Sequence, residues 1–271
     1  MTPLADSAAR LAEAFDHPVL CGIPGPGWTR CAEVDAAFVT RWEHAVAAQH
    51  VHEFGRSHPT TATGYVLGWY AGIPAGLGGA LFRLARRVPR LDRAAVAFRL
   101  CSEAYPDAYA LLDTRFWCLP TDPAADHPDA TAVRDEAELA AVLRAQVREH
   151  ADTFLAQHPT RGRLPRRALL GAFTDGVDTG LQLGGDATPE RLLPEAALAL
   201  PAGPSVLPAS TLEVVVDGRG RRHVDRRTLS CCYYFKVDPG AGPCGTCPRV
   251  PVDERLRRFT ELPDEPSAGQ H

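Results

Sequence analysis

Apolar positions recur at three- and four-residue steps over residues 4–15 and 32–54. In the second stretch Val34, Phe38, Trp42, Ala45 and Val46 share one side of a predicted helix. Between them CGIPGPGW is too rich in Gly and Pro for regular structure. Residues 57–82 carry no Asp, Glu, Lys or Arg, and Gly64, Gly68, Gly72 and Gly76 stand four apart, a small-residue stripe ending near Arg86. Such a stripe lets helices approach closely, in membranes included. Pro74 interrupts the run and its first third is polar, so the expectation is a buried helix or two half-helices.

Two strands are predicted at 94–101 and 108–118, joined as a hairpin through SEAYPD, before a surface loop TDPAADHPDAT. Leu139, Val142, Leu143 and Val147 mark a helix over 134–157, and 165–183 reads as another, with Pro165 at its start and Gly184-Gly185 past its end. Residues 187–208 are Pro-rich and read as a connector with a short helix at most. LEVVVDGRGRRHV reads as strand, turn and strand, with Asp217-Gly218 as the turn signal. A short helix over 252–262 and a disordered tail close the chain. The pattern gives an α+β protein with a helical N-terminal part, a small antiparallel sheet and a C-terminal cysteine loop. Its expected organisation is a substrate-side region over 1–200, a strand hairpin with the cysteine segment over 205–263, and a tail over 264–271.

A chain of 271 residues, 45% hydrophobic, supports a sizeable core, and a net charge of −4 argues against a nucleic-acid partner. Of 29 lysines and arginines only Lys236 is a lysine, an arginine bias that weakens the meaning of any single arginine. The N-terminus shows no basic stretch leading into an apolar one, so no secretory signal and a cytoplasmic location are expected. Peripheral membrane association stays open for the glycine-striped region.

Half of the eight cysteines fall within residues 231–247, in RRTLSCCYYFKVDPGAGPCGTCPRVPVDE. A C-x-x-C knuckle such as Cys244–Cys247 aims two sulfurs at one point, and Pro243 and Pro248 stiffen it. Four thiolates hold an iron–sulfur cluster or a structural zinc. Adjacent strand residues face opposite ways, so Cys231 and Cys232 can share a centre only where the backbone leaves strand geometry. A strand through 227–230 is therefore expected to end or bulge at the pair. A redox-active dithiol at Cys244/Cys247 is the third alternative, though Pro248 and Pro251 fit poorly with the helix such a dithiol precedes.

With Arg226, Arg227, Cys231, Cys232, Tyr234, Cys244, Gly245 and Cys247, this segment resembles the C-terminal motif of the FhuF-type ferric-siderophore reductases. A looser likeness runs upstream through TTATGYVLGWYAGIPAGLGGALF and VPRLD. Eleven residues separate the two cysteine pairs, one more than the family's spacing. The resemblance implies a [2Fe–2S] cluster on Cys231, Cys232, Cys244 and Cys247, and one-electron reduction of siderophore-bound Fe(III) with release of Fe(II). It also implies a donor such as a ferredoxin or a flavoprotein reductase. Two alternatives remain: an electron-transfer or redox-sensing protein with another acceptor, and a zinc-stabilised, non-catalytic siderophore- or partner-binding protein. No G-x-G-x-x-G follows a strand, so no bound dinucleotide is expected.

The backbone amides of Tyr233, Gly245 and Thr246 are candidate donors to sulfur. Arg226, Arg227, Tyr234 and Lys236 are candidates for substrate or donor docking, within a run that also holds Arg219, Arg221 and Arg222. His44, His50, His52 and His58 form no H-E-x-x-H pattern and read as surface or capping residues. Cys21, Cys31, Cys101 and Cys118 read as small buried residues, with Cys101 and Cys118 facing one another across the proposed hairpin. Trp28, Trp42, Trp69 and Trp117 read as core or pocket wall.

Overall fold

The computed structural model describes residues 2–15, 17–185 and 187–261; the expected tail over 264–271 lies outside them. The chain is a mixture of seven helices and three small sheets among the described residues.

Helices α1 (Pro3–Phe15), α2 (Ala36–Phe54) and α3 (Pro59–Ala85) follow the predicted periodicities. Asp35 sets the start of α2 by accepting from the Phe38 amide at 2.7 Å, and Gly55 ends it in the left-handed region at φ 70°. His58 caps α3, its Nδ1 accepting from the Thr60 amide at 3.1 Å, with Pro59 in the first turn. The striped region is thus one continuous helix through Pro74. No described helix is long and apolar enough to cross a membrane.

Helix α3 is buried along nearly its whole length and runs against α5 (Arg166–Leu183). The contact is glycine on glycine. A Cβ at Gly79 would stand 2.6 Å from the Val177 carbonyl oxygen, and one at Gly180 would run into the Gly76 carbonyl. Helix α4 (Glu136–Gln157) covers the other side, with Tyr70 stacked on Phe154 at 3.7 Å.

The predicted hairpin is real but shorter. Strands β4 (Val96–Leu100) and β5 (Pro106–Leu111) pair antiparallel, flanked by β1 (Val19–Cys21), parallel to β5, and β2 (Thr29–Arg30). The stretch expected to continue to residue 118 breaks, and β6 (Phe116–Cys118) joins a second sheet between β3 (Arg87–Pro89) and β7 (Ala130–Ala132). Cys118 therefore sits opposite Arg87, not Cys101, and both cysteines are free thiols.

The Pro-rich connector also holds more structure than expected. Helix α6 (Pro189–Ala199) starts at a proline and buries Leu192, Ala196 and Ala199, one face of successive turns. Strands β8 (Leu212–Val216) and β9 (Arg222–Arg226) form the second predicted hairpin. Its turn is organised by Asp217, which accepts from the Arg219 and Arg221 amides at 2.8 and 2.9 Å, while Gly220 takes the left-handed φ of 79°. Helix α7 (Val252–Glu261) packs back on this hairpin, Arg255 pairing with Asp225 and, at 2.8 Å, with Glu213.

Candidate metal centre

Strand β9 ends at Arg226, five residues before Cys231 and short of the strand expected through 227–230, so Cys231 and Cys232 lie in irregular backbone. Two helices impose its path. From α5, the buried Asp175 carboxylate accepts the Leu229 amide at 2.8 Å, the Ser230 amide at 2.9 Å and the Ser230 hydroxyl at 2.5 Å. From α3, the Thr61 hydroxyl donates to the Tyr233 carbonyl at 3.0 Å. Gly64 meets the pair edge-on: a Cβ there would be 3.0 Å from the Cys231 carbonyl oxygen. Tyr233 then turns the chain with a left-handed φ of 57°, sparsely populated for a residue with a side chain.

The second pair is tied to the first. The Thr228 amide and hydroxyl both donate to the Thr246 carbonyl at 3.0 Å, and the Cys247 amide closes the C-x-x-C turn onto the Cys244 carbonyl at 3.1 Å. From α7, Arg258 donates to the Pro243 carbonyl at 3.1 Å. Beside the turn between the pairs, Asp238 accepts from the Gly240 and Ala241 amides, each at 3.2 Å, and from the Tyr234 hydroxyl at 2.9 Å. A Cβ at Gly245 would meet nothing within 4 Å, so crowding does not explain that glycine.

The clamp brings the four cysteines close enough to act on one another's thiols, Cys232 with Cys244, Cys244 with Cys247, and Cys247 with Cys231. The interaction with Cys232 pulls the Cys244 thiol down to about 6 and holds Cys232 well above its ordinary value, while burial pushes Cys247 up to about 11. Thiolate is the form that ligates metal, and the exposed Cys244 reaches it most readily. The Tyr233 amide, one of the expected donors, points at the Cys231 sulfur at 3.4 Å. Among the described residues no three ligating groups converge on a point fit for one ion. The four neighbouring cysteines supply the number of thiolates that a [2Fe–2S] centre takes.

The docking candidates separate. Arg226 is tied inward to the Asp175 carbonyl at 3.1 Å and the Thr179 hydroxyl, which holds β9 on α5. Tyr234 stacks edge-on against Phe54 at 5.4 Å, and Lys236 lies over the Tyr233 ring at 5.3 Å. Arg227 is exposed and lines a groove of about 690 Å³ with Arg167, Arg249 and Cys231, Glu213 being its one acidic wall residue. Arg167 escaped the sequence reading because only the fold brings α5 beside the loop that carries Arg249. Asp175 and Thr61 also act on the loop only through the fold, as does Gly64, which the sequence marked only as part of the stripe.

No curated protein matches the chain. Residues 229–249 match the family model described as the FhuF 2Fe-2S C-terminal domain; Cys231, Cys232, Cys244 and Cys247 fit its motif, and the match indicates a [2Fe–2S] cluster in this segment.

Proposed function

We propose that the protein is a ferric-siderophore reductase. Cys231, Cys232, Cys244 and Cys247 would hold the [2Fe–2S] centre. The observation that supports this reading is the gathering of four neighbouring cysteines inside the matching segment. Such a centre supplies single electrons, and one electron converts Fe(III), gripped by hard oxygen donors, into the less charged and weakly held Fe(II).

The chain's own residues do the rest. Asp175, Thr61 and Thr228 fix the loop that carries the thiols, so the site keeps its shape as its charge changes. Arg167, Arg227 and Arg249 offer a cationic groove with Cys231 in its wall, complementary to an acidic donor such as a ferredoxin or an acidic flavoprotein.

Stopped-flow mixing of the reduced protein with a ferric hydroxamate and an Fe(II) trap tests the proposal. Oxidation must outpace the control without chelate and the trapped Fe(II) must match it electron for electron. Oxidation at the control rate refutes a reductase role.

A further inference from the structure

Beside the C-x-x-C turn lies a recess of about 380 Å³ that shares no lining residue with the basic groove. Strand β9 gives it Asp225 and Arg226, and α7 gives Arg255 and Arg258. Gln182 of α5 and the turn residues Gly245 and Thr246 complete the wall.

Its cations are under-bonded. Arg255 is 2% exposed, and it donates only from Nη2, to Asp225 and, at 2.8 Å, to Glu213. Its Nε and Nη1 are buried with no partner among the described residues. Arg226 donates from Nη1 to the Asp175 carbonyl and the Thr179 hydroxyl, both neutral, and its buried Nε has no partner either. Arg258 donates from Nε to Glu254 at 2.9 Å and from Nη1 to the Pro243 carbonyl at 3.1 Å.

The wall thus holds three guanidiniums and one carboxylate, and Arg255 already occupies that carboxylate. Asp175 and Asp178 act on Arg226 by charge, but their oxygens are taken by Leu229 and Ser230, and by Ser210 and Thr211. A buried guanidinium with open donors is costly unless oxygen and negative charge reach it. Water brings the oxygen without the charge. An oxyanion brings both, in the two-oxygen geometry that a guanidinium fork matches. The volume exceeds what a bare ion fills and lies in the range of small-molecule sites.

We infer that this recess binds a small organic oxyanion, a carboxylate or a phosphate ester, whose charged end meets Arg226 and Arg255. Its body lies along Gly245 and Thr246, and Gly245, where a Cβ would meet nothing within 4 Å, leaves room for it. The assignment stands apart from the reductase reading, since it needs no electron acceptor.

Calorimetry on the cluster-loaded full chain tests it, with inorganic phosphate, glycerol 3-phosphate and succinate added at constant ionic strength in chloride. Glycerol 3-phosphate or succinate is expected to bind one per chain with a dissociation constant below about 1 mM, and more tightly than inorganic phosphate. Which of the two binds tells a phosphate ester from a carboxylate. Gln182→Glu keeps the shape of a half-buried wall residue and adds one negative charge. It is expected to weaken binding about tenfold or more with the melting temperature unchanged. Should that variant melt lower than wild type, Arg258→Gln decides in its place with the same loss. No binding of either organic anion, tighter binding of inorganic phosphate than of both, or equal affinity in wild type and the deciding variant overturns the assignment.

Discussion

The Asp175 carboxylate on α5 receives both the amide and the hydroxyl of Ser230, at 2.9 and 2.5 Å, one residue before the double cysteine. With the Leu229 amide at 2.8 Å, three donors from the loop converge on one buried acid. The geometry of a centre assembled late in the chain is therefore set by a helix more than fifty residues upstream.

Replacing Asp175 by Ala leaves two half-buried amides without their acceptor, each worth about 1–3 kcal/mol. The expected result is a loss of about 3 kcal/mol in denaturant unfolding together with poor cluster loading. Asp175→Asn keeps the shape but turns a donor toward donors, and is expected to lie between the two. Normal loading in the alanine variant contradicts the anchoring role.

Glycines of the α3–α5 crossing and Gly68 of the same stripe respond in opposite directions. Gly180→Ala drives a methyl into the Gly76 carbonyl and is expected to cost about 3 kcal/mol. Gly68→Ala meets open space and is expected to stabilise the helix by up to about 1 kcal/mol. Thermal melts of both variants check the pair; a fall in both melting temperatures refutes the distinction.

Two buried histidines govern the acid limit. His150 donates from Nδ1 to the Leu91 carbonyl at 2.6 Å and accepts the Tyr70 hydroxyl at 2.8 Å, and burial brings it down to about 4. His158 is also brought to about 4, by burial first and then by Arg161 and Arg163. Both folded values lie below the ordinary 6.5, so the unfolded chain binds more protons in between. Their stabilisation is whole above about pH 6.5 and is lost as pH falls toward 4, with a slope near 2.7 kcal/mol per pH unit for two protons. Urea unfolding at stepped pH measures this slope, and His158→Gln is expected to halve it. A flat profile contradicts the neutral, buried state.

The cysteines divide cleanly. Cys244→Ser and Cys232→Ser each remove a member of the gathered set, and either is expected to abolish normal loading. Cys101→Ser changes a free thiol remote in sequence from the centre and is expected to load like wild type. Loading in Cys244→Ser equal to wild type contradicts the ligand assignment.

How much of this was legible in the sequence depends on how local the signal is. The spacing of Cys231, Cys232, Cys244 and Cys247 is a local pattern, as are the periodicities of α2, α4 and α5 and the cap at His58. Strands of two or three residues, such as β1, β2 and β6, are too short to show a period of two, so the stretch 108–118 read as one strand. Helix α6 hid behind its prolines, although Leu192, Ala196 and Ala199 carry helical spacing. Arg226 and Arg227 look equivalent as neighbours, yet β9 sends one into α5 and the other to the surface. Asp175 and Gly64 act through contacts across long sequence separations, and no local pattern encodes such contacts.

Quantifying iron, zinc and acid-labile sulfide in the anaerobically purified protein tests the central claim most directly. A [2Fe–2S] centre on these thiols requires about two irons and about two sulfides per chain. Stoichiometric zinc with no sulfide contradicts it.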